Sequence, residues 1–391
     1  MLARYCHRWR IMAFGEATHS VVASAFGRLT TKDLPLLETI HSNGNVFFWQ
    51  DSDTDDTNPI GLSVIGSLLG RASSLRALHL TGEYFSEQSL LSDLPLLWSR
   101  LTELCITPPS GHYYDCYKLL QLLAKECHSL ASLDLVSQGV HLVQERGERR
   151  SSPVEWSSIR KFAISFIGSA VDRRPLELVF TRQVVEAFES VVLPSLKEFS
   201  VDLPGYHDLF PPPPSKISST PWEQLLLRSQ PAITHIQLSF PTSLEATAVF
   251  KSLQSLDTPK SLRFGCGNSR QIADEQFLPA FLEAGASLCP ELEEVEFGKC
   301  GSAAAKSLLE LAVIRPNLKV IRAHFFVSED EVETLLPSAQ VVHELKVTMN
   351  EREGTLQGYV KGVRLIWTWK SQDDPSRDAH TDGMPGDTLY W

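Results

Sequence analysis

A short phrase of apolar and polar positions recurs along the chain. An apolar residue is followed by two variable residues, a second apolar residue, one variable residue and a third apolar residue. It reads LPLLETI (34–40), SSLRALHL (73–80), SRLTELCI (99–106), HSLASLDL (128–135), SSIRKFAI (157–164) and PSLKEFSV (194–201). It continues as PAITHIQL (231–238), PKSLRFG (259–265), PELEEVEF (290–297), PNLKVIRA (316–323) and VHELKVTM (342–349). From the second phrase on, the anchors are Leu75, Leu101, Leu130, Ile159, Leu196, Ile233, Leu262, Leu292, Leu318 and Leu345, at separations of 26 to 37 residues. The last two apolar residues of each phrase are two apart. They share one face of a short strand, and the residue between them points to solvent.

One such strand cannot bury its apolar face alone. Stacked strands can, provided each repeat returns by a helix over the same core. The linking segments predict those helices. CYKLLQLLAKEC (116–127) sets Leu119, Leu120, Leu122 and Leu123 at helical spacing. SLEATAVFKSLQSL (243–256) gathers Leu244, Ala248, Val249 and Leu253, and SAAAKSLLELAVI (302–314) gathers Ala305, Leu308, Leu309 and Ala312. RQVVEAFESVV (182–192) also reads as helix. Ser328 with Glu331 forms a capping box ahead of SEDEVETLL (328–336). Phrase and spacing together are those of a leucine-rich repeat, somewhat long and irregular. The expected fold class is α/β: a leucine-rich-repeat solenoid, arc or horseshoe, with a parallel inner sheet and outer helices.

The expected organisation is a single solenoid of about 10–11 repeats over 1–370. At its start, Trp9, Ile11 and Ala13 alternate with Arg8, Arg10 and Met12 and read as a first strand. The same Arg-rich start also fits a mitochondrial transit peptide, and it lacks the apolar run of a secretory signal. Acidic DSDTDDTNP (51–59), charged ERGERRSSP (145–153) and proline-rich LPGYHDLFPPPPSK (203–216) read as loops. In GYVKGVRLIWTWK (358–370), Val363, Leu365, Trp367 and Trp369 alternate with polar neighbours, which reads as a C-terminal cap strand. Residues 371–391 read as a disordered acidic tail.

Charge narrows the partners. The chain of 391 residues carries 36 basic and 47 acidic side chains, a net charge of −11. That argues against nucleic acid or anionic membrane as the main partner. No apolar run is long enough for a membrane helix. The seven cysteines are odd in number and sparse, without a C-x-x-C pair, which fits free thiols in the cytoplasm or nucleus.

The usual signatures of chemistry are missing from the sequence. GCGNSR (265–270) follows a strand but has arginine where a dinucleotide fingerprint needs its third glycine, so it reads as a turn. His112, Cys116, Cys127 and His128 lack zinc spacing, and Cys127 reads as a helix end packed inward. Glu294 and Glu296 share the solvent face of one strand and read as an acidic patch. Trp367 and Trp369 read as core. No catalytic residue, metal ligand or cofactor is expected.

HRWR (7–10), LPLLETI (34–40), RASSLRALHLTG (71–82), LPLLWSRLTELCI (94–106), LAKECHSLASLDL (123–135), CPELEEVEF (289–297) and RPNLKVI (315–321) carry a family likeness. Over roughly residues 5–350 the chain resembles the leucine-rich-repeat region of fungal F-box proteins. The resemblance implies recruitment of a protein substrate to a cullin-type ubiquitin ligase. The F-box itself, a helical module ahead of the first repeat, is not found in the sequence. Binding to the ligase's adaptor subunit is therefore expected only where an F-box is joined upstream.

The expected function is a non-enzymatic scaffold for protein–protein interaction. The alternatives are a hydrolase or transferase on a repeat-like frame, or a decayed paralogue without a partner. The variable positions of the strands form the expected docking surface: His79, Glu103, Asp134, Lys161, Ser200, Gln237, Arg263, Glu296 and Arg322. Glu294, Glu296, Arg322 and His324 fall on adjacent repeats and are the candidate partner-binding residues. The plainest structural role for two of them is a surface pair between Glu296 and Arg322.

Overall fold

The computed structural model describes residues 8–14, 34–43, 72–82, 98–109, 114–138, 152–167, 184–203, 220–230, 232–240, 246–265, 277–327, 331–332, 335, 342–349 and 353–371. Among them the chain forms a mixed α/β structure around one large, open, mostly parallel sheet. In chain order its first strands are β1 (Ile11–Phe14), β2 (Thr39–Asn43), β3 (Ala77–Thr81), β4 (Glu103–Thr107) and β5 (Ser132–Gln138). Two-residue strands β6 (Val154–Glu155) and β8 (Val191–Val192) pair separately, with β7 (Lys161–Ile167) between them in the chain. The main sheet continues with β9 (Glu198–Asp202), β10 (His235–Ser239), β11 (Ser261–Phe264), β12 (Glu294–Cys300) and β13 (Val320–Val327). It ends with β14 (His343–Met349), β15 (Glu353–Val360) and β16 (Val363–Ser371).

The spatial order is β1-β2-β3-β4-β5-β7-β9-β10-β11-β12-β13-β16-β15-β14. Every pair from β1 to β16 in that order is parallel, and the last two pairs are antiparallel. The described helices are α1 (Cys116–Glu126), α2 (184–189), α3 (Glu223–Ser229), α4 (Ala246–Gln254), α5 (Phe277–Glu283) and α6 (Ala304–Ile314). Their apolar sides join the apolar face of the sheet in one continuous core.

The recurring phrase explains this arrangement. Its second position aligns across the sheet as Ile40, Leu78, Leu104, Leu133, Phe162, Phe199, Ile236, Leu262, Val295, Ile321 and Leu365. All are buried. Its third position adds Phe264 and Phe297, whose rings stack 5.6 Å apart in register. The strand entries repeat as well. The carbonyl of Arg76 accepts the N–H groups of both Thr102 and Glu103, that of Ala131 accepts those of Arg160 and Lys161, and that of Lys260 accepts those of Glu293 and Glu294. Successive strands thus start level, and identical positions line up in rows.

Helix ends show local chemistry that the apolar pattern does not carry. Asp115 caps α1 by accepting from the Lys118 N–H at 3.1 Å, and Cys127 closes the helix by donating its N–H to the Leu123 carbonyl. Cys127 is fully buried, as its place at a helix end predicts.

Several expectations need correction. In β1, Met12 is buried and Ile11 is exposed, so the parity is opposite to the one expected. β1 is an edge strand, and its core-facing position is set by register, since Met12 pairs with the buried Ile40. In the eighth phrase the anchor is Pro259, not Leu262. Leu262 pairs with Ile236 and Val295 and holds the second position, while Pro259 is buried in the turn before it. VHELKVTM does not make a further parallel repeat. It forms β14, on the outer edge, where Leu345 and Val347 remain exposed because no described helix covers them.

The next parallel strand is instead β16, where Val363, Leu365, Trp367 and Trp369 are buried as expected. It is not the terminal strand of the sheet. Residues 358–370 hold the end of β15, a tight turn and β16, and β15 and β14 extend the sheet beyond it. The turn works because Lys361 and Gly362 both take positive φ, 47° and 86°, joining Val360 to Val363 in the two-residue hairpin form. Of segment 182–192, residues 184–189 form helix α2 and Val191–Val192 form β8. The loops at 51–59 and most of 145–153 and 203–216, Ser328 of the capping box, and the tail beyond Ser371 lie outside the described residues.

Candidate interaction face

The face of the sheet opposite the core carries the variable positions. One row runs His41, His79, Cys105, Asp134, Ala163, Ser200, Gln237, Arg263, Glu296, Arg322 and Ile366, one residue per strand from β2 to β16. Each is at least partly solvent-accessible. Parallel neighbours about 4.8 Å apart bring these side chains into contact range.

The four residues singled out from the sequence meet here. Glu294 and Glu296 lie on β12, Arg322 and His324 on β13. Their pairing differs from the expected one. Glu296 does not take Arg322. Its carboxylate pairs with the Arg263 Nε on β11 at 3.3 Å and with the His324 Nε2 at 3.2 Å. Arg322 instead pairs diagonally with Glu294. The reason is geometric: Glu296 sits between Arg263 and Arg322 in one row, and Arg322 finds a second carboxylate two residues back along β12.

His324 is fixed from both sides. Its Nδ1 lies 2.7 Å from the Thr368 hydroxyl on β16, and its Nε2 faces Glu296. Burial, then the nearby Arg263 and Arg364, holds the Arg322 guanidinium below its ordinary pKa. At the strand-entry rim, Glu293 bridges Lys319 at 2.6 Å and Lys260 at 3.8 Å. The Lys319 hydrogen bond is the main reason its carboxyl sits below its usual range.

The other end of the face has different chemistry. The rings of His41 and His79 lie 4.4 Å apart, and the His79 Nε2 is 3.3 Å from Glu103. Burial, then His41, lowers the His79 pKa, while Glu103 opposes the shift. In the same row, burial raises the Asp134 carboxyl against the pull of Lys161, with Glu103 adding to the rise. Burial pushes the Cys105 thiol up to about 12, with Asp134 contributing. No group of three or more metal-ligating side chains converges among the described residues. Cys116 and Cys127 are buried thiols outside any disulfide among the described residues, and His112 lies outside those residues.

Sequence reasoning passed over Arg364, Thr368 and the tilted His41–His79 ring pair as site residues. The polar alternation in GYVKGVRLIWTWK was the available signal for the first two. Reading it as an interior strand beside β13 would have placed Thr368 against His324. Nothing in His41 or His79 alone announces their pairing, which needs the register of β2 on β3.

No protein-family model matches the chain, and no curated protein matches it.

Proposed function

We propose that the chain is a leucine-rich-repeat solenoid that acts as a non-enzymatic scaffold for protein recognition. Its partner docks on the open face of the sheet, at the end built around Glu294, Glu296, Arg322 and His324. The observation that supports this is the contrast between the two faces of the same strands. The core face repeats Leu, Ile, Val and Phe, while the open face changes residue type from strand to strand and is free of any described helix. A row of dissimilar side chains on level strands gives a partner a distinct chemical pattern to read. The likeness to fungal F-box proteins adds an assembly class: delivery of a bound protein to a cullin-type ubiquitin ligase, through an F-box joined to the array.

The test is proximity labelling in the native cell with two versions of the full chain. The second carries Glu294→Arg together with Arg322→Glu, which keeps an opposite-charge pair but exchanges its polarity. Folding should be nearly unchanged, because a partly exposed pair contributes roughly 0–1 kcal/mol. Proteins labelled by the first version should be lost with the second. An identical set of labelled proteins for both would remove the docking assignment.

A further inference from the structure

We infer that the C-terminal end of the open face binds a carboxylate-rich peptide segment of a partner protein. This rests on the docking assignment above and adds the chemical class of the occupant.

Three guanidiniums, Arg263, Arg322 and Arg364, stand near one another on β11, β13 and β16, close enough that the other two depress the pKa of Arg322. Two carboxylates on β12 answer them. Glu296 is engaged by Arg263 and His324, and Glu294 by Arg322. Arg364 has no carboxylate partner among the described residues. Its Nη2 meets only the neutral Gln357 side-chain oxygen, at 3.3 Å, and the residue is exposed. Three guanidiniums against two carboxylates leave this patch one charge positive, on a chain whose net charge is −11. At the far end of the same face, Glu103 and Asp134 stand beside Lys161.

The surroundings of Arg364 suit a peptide. Tyr359 is its register partner on β15 and is exposed. A guanidinium offers a planar fork of donors that matches a carboxylate with two parallel hydrogen bonds. A tyrosine adds contact area at low cost in side-chain order. Nucleic acid fits less well. Tight binding of a phosphate backbone depends on neutralising many charges at once, whereas among the described residues of this patch Arg364 alone lacks a carboxylate partner and so offers one fork for one carboxylate.

The test uses the folded full chain to select from a random peptide library, at low and at physiological salt. Selected peptides should be enriched in Asp and Glu. Their binding should weaken roughly tenfold in Arg364→Gln, the loss expected for one charge-assisted hydrogen bond. Arg364→Glu should abolish binding, and Arg364→Lys should restore part of it. Circular dichroism and thermal melts of the variants should match the parent, since Arg364 is exposed. A pool without acidic enrichment would overturn the inference. So would acidic peptides that bind Arg364→Glu unchanged, or an oligonucleotide that outcompetes them. Neutral or basic peptides whose binding is lost on the Glu294→Arg, Arg322→Glu exchange would refute the acidic class and leave the docking assignment standing. A pool with no enrichment of any kind would also refute the inference, with proximity labelling still deciding whether the face docks a protein.

Discussion

The indole of Trp156 donates its N–H to the backbone carbonyl of Cys127 across 3.1 Å, inside the core. This bond ties the turn before β7 to the end of α1 in the preceding unit. The same carbonyl also accepts the Leu130 N–H, so it is doubly used. Trp156→Phe keeps most of the ring and removes one donor. Urea unfolding should show a loss of about 1 kcal/mol, the usual net value of such a bond. Trp156→Ala should cost about 3–5 kcal/mol, because it also opens a cavity. No loss for Trp156→Phe would mean the hydrogen bond contributes nothing, and equal losses for the two would mean the ring volume does not matter.

Leu133 is fully buried between Leu104 and Phe162 on the neighbouring strands. Leu133→Asp places an unpaired carboxylate there. The expected loss is several kcal/mol, on the order of a whole domain's stability of about 5–15 kcal/mol. The protein should then be unfolded or aggregated at ambient temperature by circular dichroism.

Arg315 is buried and has no carboxylate partner among the described residues. Its Nη1 donates to the Leu288 carbonyl, and its guanidinium lies 4.9 Å from the centroid of the Phe281 ring. Its Nε and Nη2 have no hydrogen-bond partner among the described residues. Removing a poorly satisfied buried charge while keeping the volume is often neutral or stabilising. Arg315→Met should therefore melt at or above the parent temperature, whereas Arg315→Ala should melt lower through its cavity. A strong drop for Arg315→Met would show that the guanidinium is stabilising as it stands.

His79 and Asp134, two strands apart in one row, respond oppositely to pH. The folded pKa of His79 lies below its ordinary 6.5, so the unfolded chain takes up the proton more readily. The stability linked to His79 is complete above that value and is lost as pH falls toward the folded one. The folded pKa of Asp134 lies above its ordinary 3.8, so its contribution is fully present at pH below 3.8 and is lost as pH rises through the raised value. Asp134→Asn should stabilise the protein at neutral pH, with the gain shrinking as pH is lowered. Denaturant midpoints measured for parent, Asp134→Asn and His79→Gln across pH 4 to 8 check both signs. A gain for Asp134→Asn that is the same at every pH would contradict the assignment.

Burial pushes the thiols of Cys127 and Cys289 up to about 12. Only the thiolate is a good nucleophile, so both should resist iodoacetamide at pH 7.5 in the native protein and react fully in denaturant. Peptide mapping by mass spectrometry reads this directly. Rapid native alkylation at either position would mean the surrounding core opens.

Leu133 was legible because its phrase states its whole environment: apolar partners two apart and an anchor three before. Pro259 was not, because a buried proline at the anchor breaks the apolar code and shifts attention to Leu262. Leu345 and Val347 alternate as well as any core strand, yet they sit on an edge. Whether a face is covered depends on elements distant in the chain, and no local pattern carries that. The candidate site shows the same division. Placing Glu294, Glu296, Arg322 and His324 together needed only repeat spacing and the two-residue period. Choosing Arg263 as the partner of Glu296, and Glu294 as that of Arg322, required the lateral order of three strands and the reach of each side chain.

The exchange of order at the end of the sheet gives the molecule a direction under force. A pull applied ahead of β1 acts on an outermost strand, bonded on one side to β2 over four register pairs. A pull applied after β16 acts on a strand clasped on both sides, by eight pairs to β13 and eight to β15. The first can peel away strand by strand, while the second must rupture two ladders together. An unfolding machine threading the chain should therefore unravel it readily from the β1 side and stall at the other.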